Sequence, residues 1–187
     1  MKKRTLKTVF AGCGILVAVI FSACNQTRTS DLQPMDIQTP DSIVGNDTIS
    51  SAITMNSDFE RVVIVRLKYQ TDILQGLKDA VEQEQIDNAV IISGIGSTYS
   101  YHVHSVDNAT FPSENVFYKE EKPNDIVSIS GYVVDGRVHA HIGLSDGVQT
   151  VGGHLEPGTR VFTFCIITIG VLEEGTSLHR FDDKTWR

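Results

Sequence analysis

Cysteine is scarce in this 187-residue chain, where only Cys13, Cys24 and Cys165 occur. Cys13 falls inside an N-terminal apolar stretch and Cys24 just beyond it, so Cys165 alone is left for a folded part and no intramolecular disulfide can form there. The apolar stretch itself, Ala11 to Phe21, is shorter than the roughly 20 residues a membrane-spanning helix needs. Phosphate loops are missing, because Gly94-Ile95-Gly96 has neither a third glycine nor a helix behind it. No GxSxG elbow presents a nucleophilic serine. Cys165 lies in an apolar run, VFTFCIITI, with nothing beside it to activate a thiol. No internal repeat is found.

What is present begins with a secretory signal. Met-Lys-Lys-Arg and Lys7 form a basic start, followed by the apolar stretch, and Phe21-Ser22-Ala23-Cys24 resembles the lipobox of bacterial lipoproteins, in which the cysteine is acylated and becomes the new N-terminus. Residues 1–23 are therefore expected to be removed. The mature protein is then tethered to a membrane through Cys24, facing the periplasm. Cleavage would take away Lys2, Lys3, Arg4 and Lys7 and no acidic residue, leaving 12 basic against 23 acidic residues, a net charge of −11. A surface this acidic repels phosphate and disfavours nucleic acid as a partner. Residues 24–56, rich in Ser, Thr, Asp, Asn and Gln with Pro34 and Pro40, read as a flexible tether. Residues 57–187 have the size of a single domain with a core.

Within that domain, Phe59 to Tyr69 is β-branched and apolar and predicts a strand. Ile73, Leu74, Leu77, Ala80 and Val81 follow at helical spacing, with Thr71 or Asp72 as N-cap. Asn88 to Ser93 predicts a second strand, with the glycines of Ser93-Gly94-Ile95-Gly96-Ser97 marking a tight turn. Six more strands are expected at 98–106, 115–121, 125–134, 137–144, 148–155 and 159–172. One helix against many strands with hairpin-length connections defines an α+β class, a mostly antiparallel sheet packed on one main helix.

The six histidines are unevenly placed, with His-x-His pairs at His102/His104 and His139/His141, then His154 and His179. Residues two apart on a strand share a face, so His139 and His141 point together while Val138, Ala140, Ile142 and Leu144 point to the apolar side. Asp146-Gly147 is a hairpin signal. With those two as the whole loop, Ser145 pairs with Val148, His141 faces Gly152 and His139 faces His154, all three imidazoles on one face. Gly152 and Gly153 then leave the middle of the triangle uncrowded. Three neutral imidazoles on a rigid hairpin suit Zn²⁺ or another divalent transition metal, with a coordination position left open for water or substrate. Glu156, two beyond His154, is the candidate proton-transfer group, with Pro157 standing against continuation of the strand. Arg137, two before His139, shares the histidine face and is a candidate for binding an anionic substrate. His102 and His104 have no third ligand in view and are assigned surface or interface roles. His179, beside Arg180, is taken as structural.

Ser93-Gly94-Ile95-Gly96-Ser97, Ile129-Ser130-Gly131, His139-Ala140-His141 and, above all, Gly152-Gly153-His154-Leu155 resemble the PPC domain family, also called DUF296, over about residues 61–180. The resemblance implies an α+β fold shared with acetolactate decarboxylase, assembly as homotrimers, and in prokaryotic members a metal held by the His-x-His pair and the Gly-Gly-His histidine, here His139, His141 and His154. In plants the domain is joined to AT-hooks and binds DNA. This chain has no Arg-Gly-Arg-Pro hook, is acidic and carries an export signal. Three functions therefore compete: a metal-dependent enzyme acting on a small oxyacid, a non-catalytic metal- or ligand-binding module on a membrane, and, disfavoured by charge and export, the DNA binding of the family's plant members. An ordered carboxylate or tyrosine near the open position distinguishes the first two.

Overall fold

A computed structural model describes residues 52–110 and 112–182. The expected signal peptide, Cys24 and the tether as far as residue 51 lie outside the described residues. Seven strands and one α-helix follow in the order β1 (Phe59–Leu67), α1 (Ile73–Gln83), β2 (Ala89–Val106), β3 (Asn115–Glu120), β4 (Asn124–Val134), β5 (Arg137–Ser145), β6 (Thr150–Leu155) and β7 (Arg160–Leu172), with a short 3-10 turn at His179–Asp182. The strands form one sheet in the order β1-β7-β2-β4-β5-β6, with β3 on β2 and every pairing antiparallel. The expected α+β class, an antiparallel sheet with one main helix, is what the chain adopts.

The helix starts where its cap chemistry dictates. Asp72 Oδ1 accepts the Gln75 N–H at 3.1 Å, supplying one of the partners that the first turn of a helix lacks. Its Oδ2 accepts the Gly158 N–H at 2.6 Å and so ties the helix start to the β6–β7 turn. Ile73, Leu74, Leu77 and Val81 are buried, giving α1 an apolar stripe at the 3–4 residue spacing that faces a core. Inward residues of the sheet complete that core, among them Ile129, Leu144, Leu155, Ile167 and Ile169.

The expected tight turn at Ser93–Ser97 does not form. Those residues lie inside β2, an 18-residue strand that carries the predicted second and third strands as one. Its glycines mark close approach between neighbours, a second reason for glycine in a strand. A Cβ on Gly94 would come within 2.6 Å of Ile129 Cβ, and one on Gly96, at φ +149°, would strike the Phe164 carbonyl oxygen.

The length of β2 shapes the site. Its first half pairs with β7 and β4, whereas its second half pairs with β3 and is joined by β6 at Val103↔Leu155 and His104↔His154. Because β6 also pairs with β5, and β5 with β4, the ladder from β2 through β4, β5 and β6 returns to β2.

Candidate metal centre

Burial along β5 alternates as the sequence pattern requires. His139 and His141 are exposed, and Ala140, Ile142 and Leu144 are buried. The hairpin that carries them differs from expectation in its register. The loop is four residues, Asp146 to Gln149, closed by Ser145↔Thr150. Asp146 Oδ1 accepts the N–H groups of Val148 and Gln149 at 2.9 and 2.8 Å. Lys122 Nζ lies 2.5 Å from the other carboxylate oxygen. The lysine contact and then the two backbone bonds hold this carboxyl well below the usual carboxylate range. The side chain of Asp146 thus organises a wider loop than the Asp-Gly dipeptide alone suggests.

As a result His141, and not His139, faces His154, and Gly143 faces Gly152. The slip is two residues. Only an odd slip transfers side chains to the opposite face, so the three imidazoles still converge. Ring centroids lie 5.5 Å apart for His139–His141, 4.8 Å for His139–His154 and 5.4 Å for His141–His154. One donor atom from each falls within 4.8 Å of the others.

The role expected of Gly152 and Gly153 is also corrected. Their missing side chains admit backbone. A Cβ on Gly152 would sit 2.7 Å from the Ile142 carbonyl oxygen, and one on Gly153 would strike that of His104. Glycine at these two positions lets β6 close onto β5 on one side and β2 on the other.

That closure brings in a residue the sequence reading set aside. His104 opposes His154, with ring centroids 4.6 Å apart. The ladders align Phe117, His104, His154, His141 and Ser130 in one row across β3, β2, β6, β5 and β4. Glu156 joins it despite Pro157. Its N–H donates to the His102 carbonyl at 3.0 Å, one residue beyond β6. Its carboxylate lies 2.7 Å from His104 Nδ1. His102 turns away, its Nδ1 2.9 Å from the Pro157 carbonyl oxygen.

Tyr132, cross-strand from His139, was also not anticipated. It lines a recess with Val90, Ser130, His139 and His141. A pair count across the two-residue Asp135-Gly136 connection, like the one made from β5 to β6, would have found it. Arg137 contacts Asp182, with Nη2 2.8 Å from Asp182 Oδ2. His179 makes an exposed contact with Asp135 at 3.0 Å.

The donor chemistry suits a metal. His141 is exposed as a residue, but packing of the neighbouring rings partly desolvates its imidazole, as burial does that of His154; this lowers the basicity of both, and the neighbouring His139 and His104 lower it further. Both shifts favour the neutral ring, the form that ligates. Burial pushes the Cys165 thiol up to about 12, in keeping with a sulfur that packs in the core.

An antiparallel α+β sheet with a cluster of histidines on its outward face defines the class. The model of the Plants and Prokaryotes Conserved (PCC) domain family matches residues 55–173, and the chain belongs to that family. Among solved structures, a metal-containing protein from Archaeoglobus fulgidus is 25% identical, with a TM-score of 0.59 over 65% of this chain and 86% of that one. A plant- and prokaryote-conserved (PPC) protein from Pyrococcus horikoshii is 22% identical, with a TM-score of 0.57 over 67% and 87%. A protein from Bacteroides thetaiotaomicron described as a candidate DNA-binding protein is 15% identical, with a TM-score of 0.52 over 65% and 86%. The last two establish likeness of fold alone. No curated protein matches the chain.

Proposed function

We propose that this PCC-domain protein holds one divalent transition metal, zinc foremost, on His139, His141 and His154, and that it is a metal-dependent enzyme acting on a small oxyacid. The observation that carries this reading is the convergence of three imidazole donors within 4.8 Å of one another on a hairpin fixed by backbone pairing. The metal-containing character of the Archaeoglobus fulgidus protein supports it. A metal there would supply a Lewis acid that polarises a substrate oxygen at the open coordination position.

The chain's own residues supply the rest. Glu156 is the proton-transfer group, oriented by His104 at 2.7 Å. An ordered carboxylate beside the donors is the feature that separates an enzyme from a plain binding module, and it favours the enzyme. Arg137, whose Nη2 contacts Asp182, keeps further N–H donors for an anionic substrate. A nucleic-acid role is disfavoured by the net charge of −11 that remains without residues 1–23.

The protein is further proposed to be an exported lipoprotein anchored through Cys24 and assembled as a homotrimer. Val62, Ile64, Ile95 and Val127 are each more than half exposed, and apolar surface of this kind is commonly covered by association. Sedimentation of the purified chain tests the assembly, with a trimer expected and a monomer contradicting it. Retention of a Cys24→Ala variant in the membrane fraction would refute the anchor.

Metal analysis of the purified full chain and of His154→Ala tests the centre itself. About one ion per chain is expected, lost in the variant. A wild-type protein that is metal-free when prepared without chelator, and that takes up none on reloading, overturns the proposal.

A further inference from the structure

His154 stands between two groups of donors, and only one has been used so far. On its other side are His104 and Glu156. The donor atoms of His104, His154 and Glu156 also lie within 4.8 Å of one another, and all three residues are partly buried. Their placement is fixed by backbone. His104 and His154 are directly opposed on β2 and β6, and Glu156 is held by its N–H bond to the His102 carbonyl. Gly153 allows this, because any side chain there would strike the His104 carbonyl oxygen and part the two strands. The ring of Phe117, with its centroid 5.2 Å from that of His104, covers the flank of the group.

We infer that His104, His154 and Glu156 form a second divalent-cation position, adjoining the first and alternative to it, since a neutral His154 ring gives its one lone-pair nitrogen to one ion at a time. Two imidazoles and one carboxylate suit first-row ions such as Fe²⁺, Co²⁺, Mn²⁺ or Zn²⁺, and leave open positions on the ion. The harder carboxylate donor widens the choice of metal relative to the all-imidazole set. An ion bound here makes Glu156 a ligand, so its use in proton transfer and its use at this position exclude one another. The site itself does not depend on the function proposed above.

The test removes the first position and asks whether the second remains. In the full chain, the double variant His139→Asn/His141→Asn is titrated with Co²⁺, reading bound metal and visible absorption. One Co²⁺ per chain is expected. Adding Glu156→Gln or His104→Ala to the double variant should weaken binding at least tenfold. Far-UV circular dichroism of each metal-free variant verifies folding, and His139→Gln/His141→Gln replaces the asparagine pair if that fails to fold. The inference is overturned if the double variant binds no Co²⁺, or if Glu156→Gln and His104→Ala leave its affinity unchanged. A wild type that holds one ion beside a double variant that holds none would sink this inference alone, whereas Co²⁺ binding of equal affinity in the wild type and the double variant, weakened in both by Glu156→Gln, would sink only the first centre.

Discussion

His102-Val103-His104 on β2 and His139-Ala140-His141 on β5 have the same spacing, yet they meet different surroundings. The β5 pair stays together, its rings stacked at an interplanar angle of 6° beside His154. The β2 pair divides its contacts, His104 engaging Glu156 and His154 while His102 engages the Pro157 carbonyl. Strand parity places two histidines on one face. What they can ligate is decided by which strand lies alongside and by where that strand ends, since β6 stops at Leu155 and its continuation bends toward β2.

The two histidine pairs are joined at Gly153, where β6 meets β2. Gly153→Ala is expected to lower stability by about 2–3 kcal/mol in urea unfolding, because the new methyl group meets backbone that cannot swing aside. A change below about 0.5 kcal/mol would mean that β2 and β6 are not this close. Next in size is exchange of the pairs. His139→Ala/His141→Ala should weaken the tightest metal binding by at least about 100-fold, whereas His102→Ala should leave it within about twofold, measured by competition with a chromophoric chelator. Equal losses would erase the distinction between the pairs.

The smallest expected effect is on pH dependence. Burial lowers the folded-state pKa of His141 and His154 below the ordinary 6.5. The unfolded chain therefore binds protons that the folded one refuses, and folding stability falls as pH drops through 6.5, with no contribution above it. Thermal melts of the metal-free protein should be flat above pH 7 and decline below about 6.5. Replacing His141 and His154 by Asn should flatten the decline.

The inner face of the domain was legible in the sequence because its signals are local. Apolar spacing located α1, with Asp72 one of two candidate caps, and alternation located β5. The outward face was legible by parity only. Asp146-Gly147 announced a hairpin correctly, but the Asp146 carboxylate gathers two further N–H groups, and the loop absorbs Val148 and Gln149. The resulting even slip spared the face and changed the partner. His104 was out of reach for another reason. It meets His154 only because the sheet returns on itself, a contact between residues far apart in sequence that no local pattern encodes. Gly94 and Gly96 were misread as a turn since glycine serves turns and close packing alike, and the neighbour that decides, Ile129 or Phe164, lies on another strand.

His139, His141 and His154 are held here to bind one ion together. X-ray absorption at the edge of the metal in singly loaded protein tests it most directly. Three imidazole nitrogens at about 2.0–2.1 Å are expected in the wild type, with the bound-metal signal lost in His154→Ala. A spectrum with fewer than three imidazoles in the wild type, or one unchanged in the variant, would contradict it.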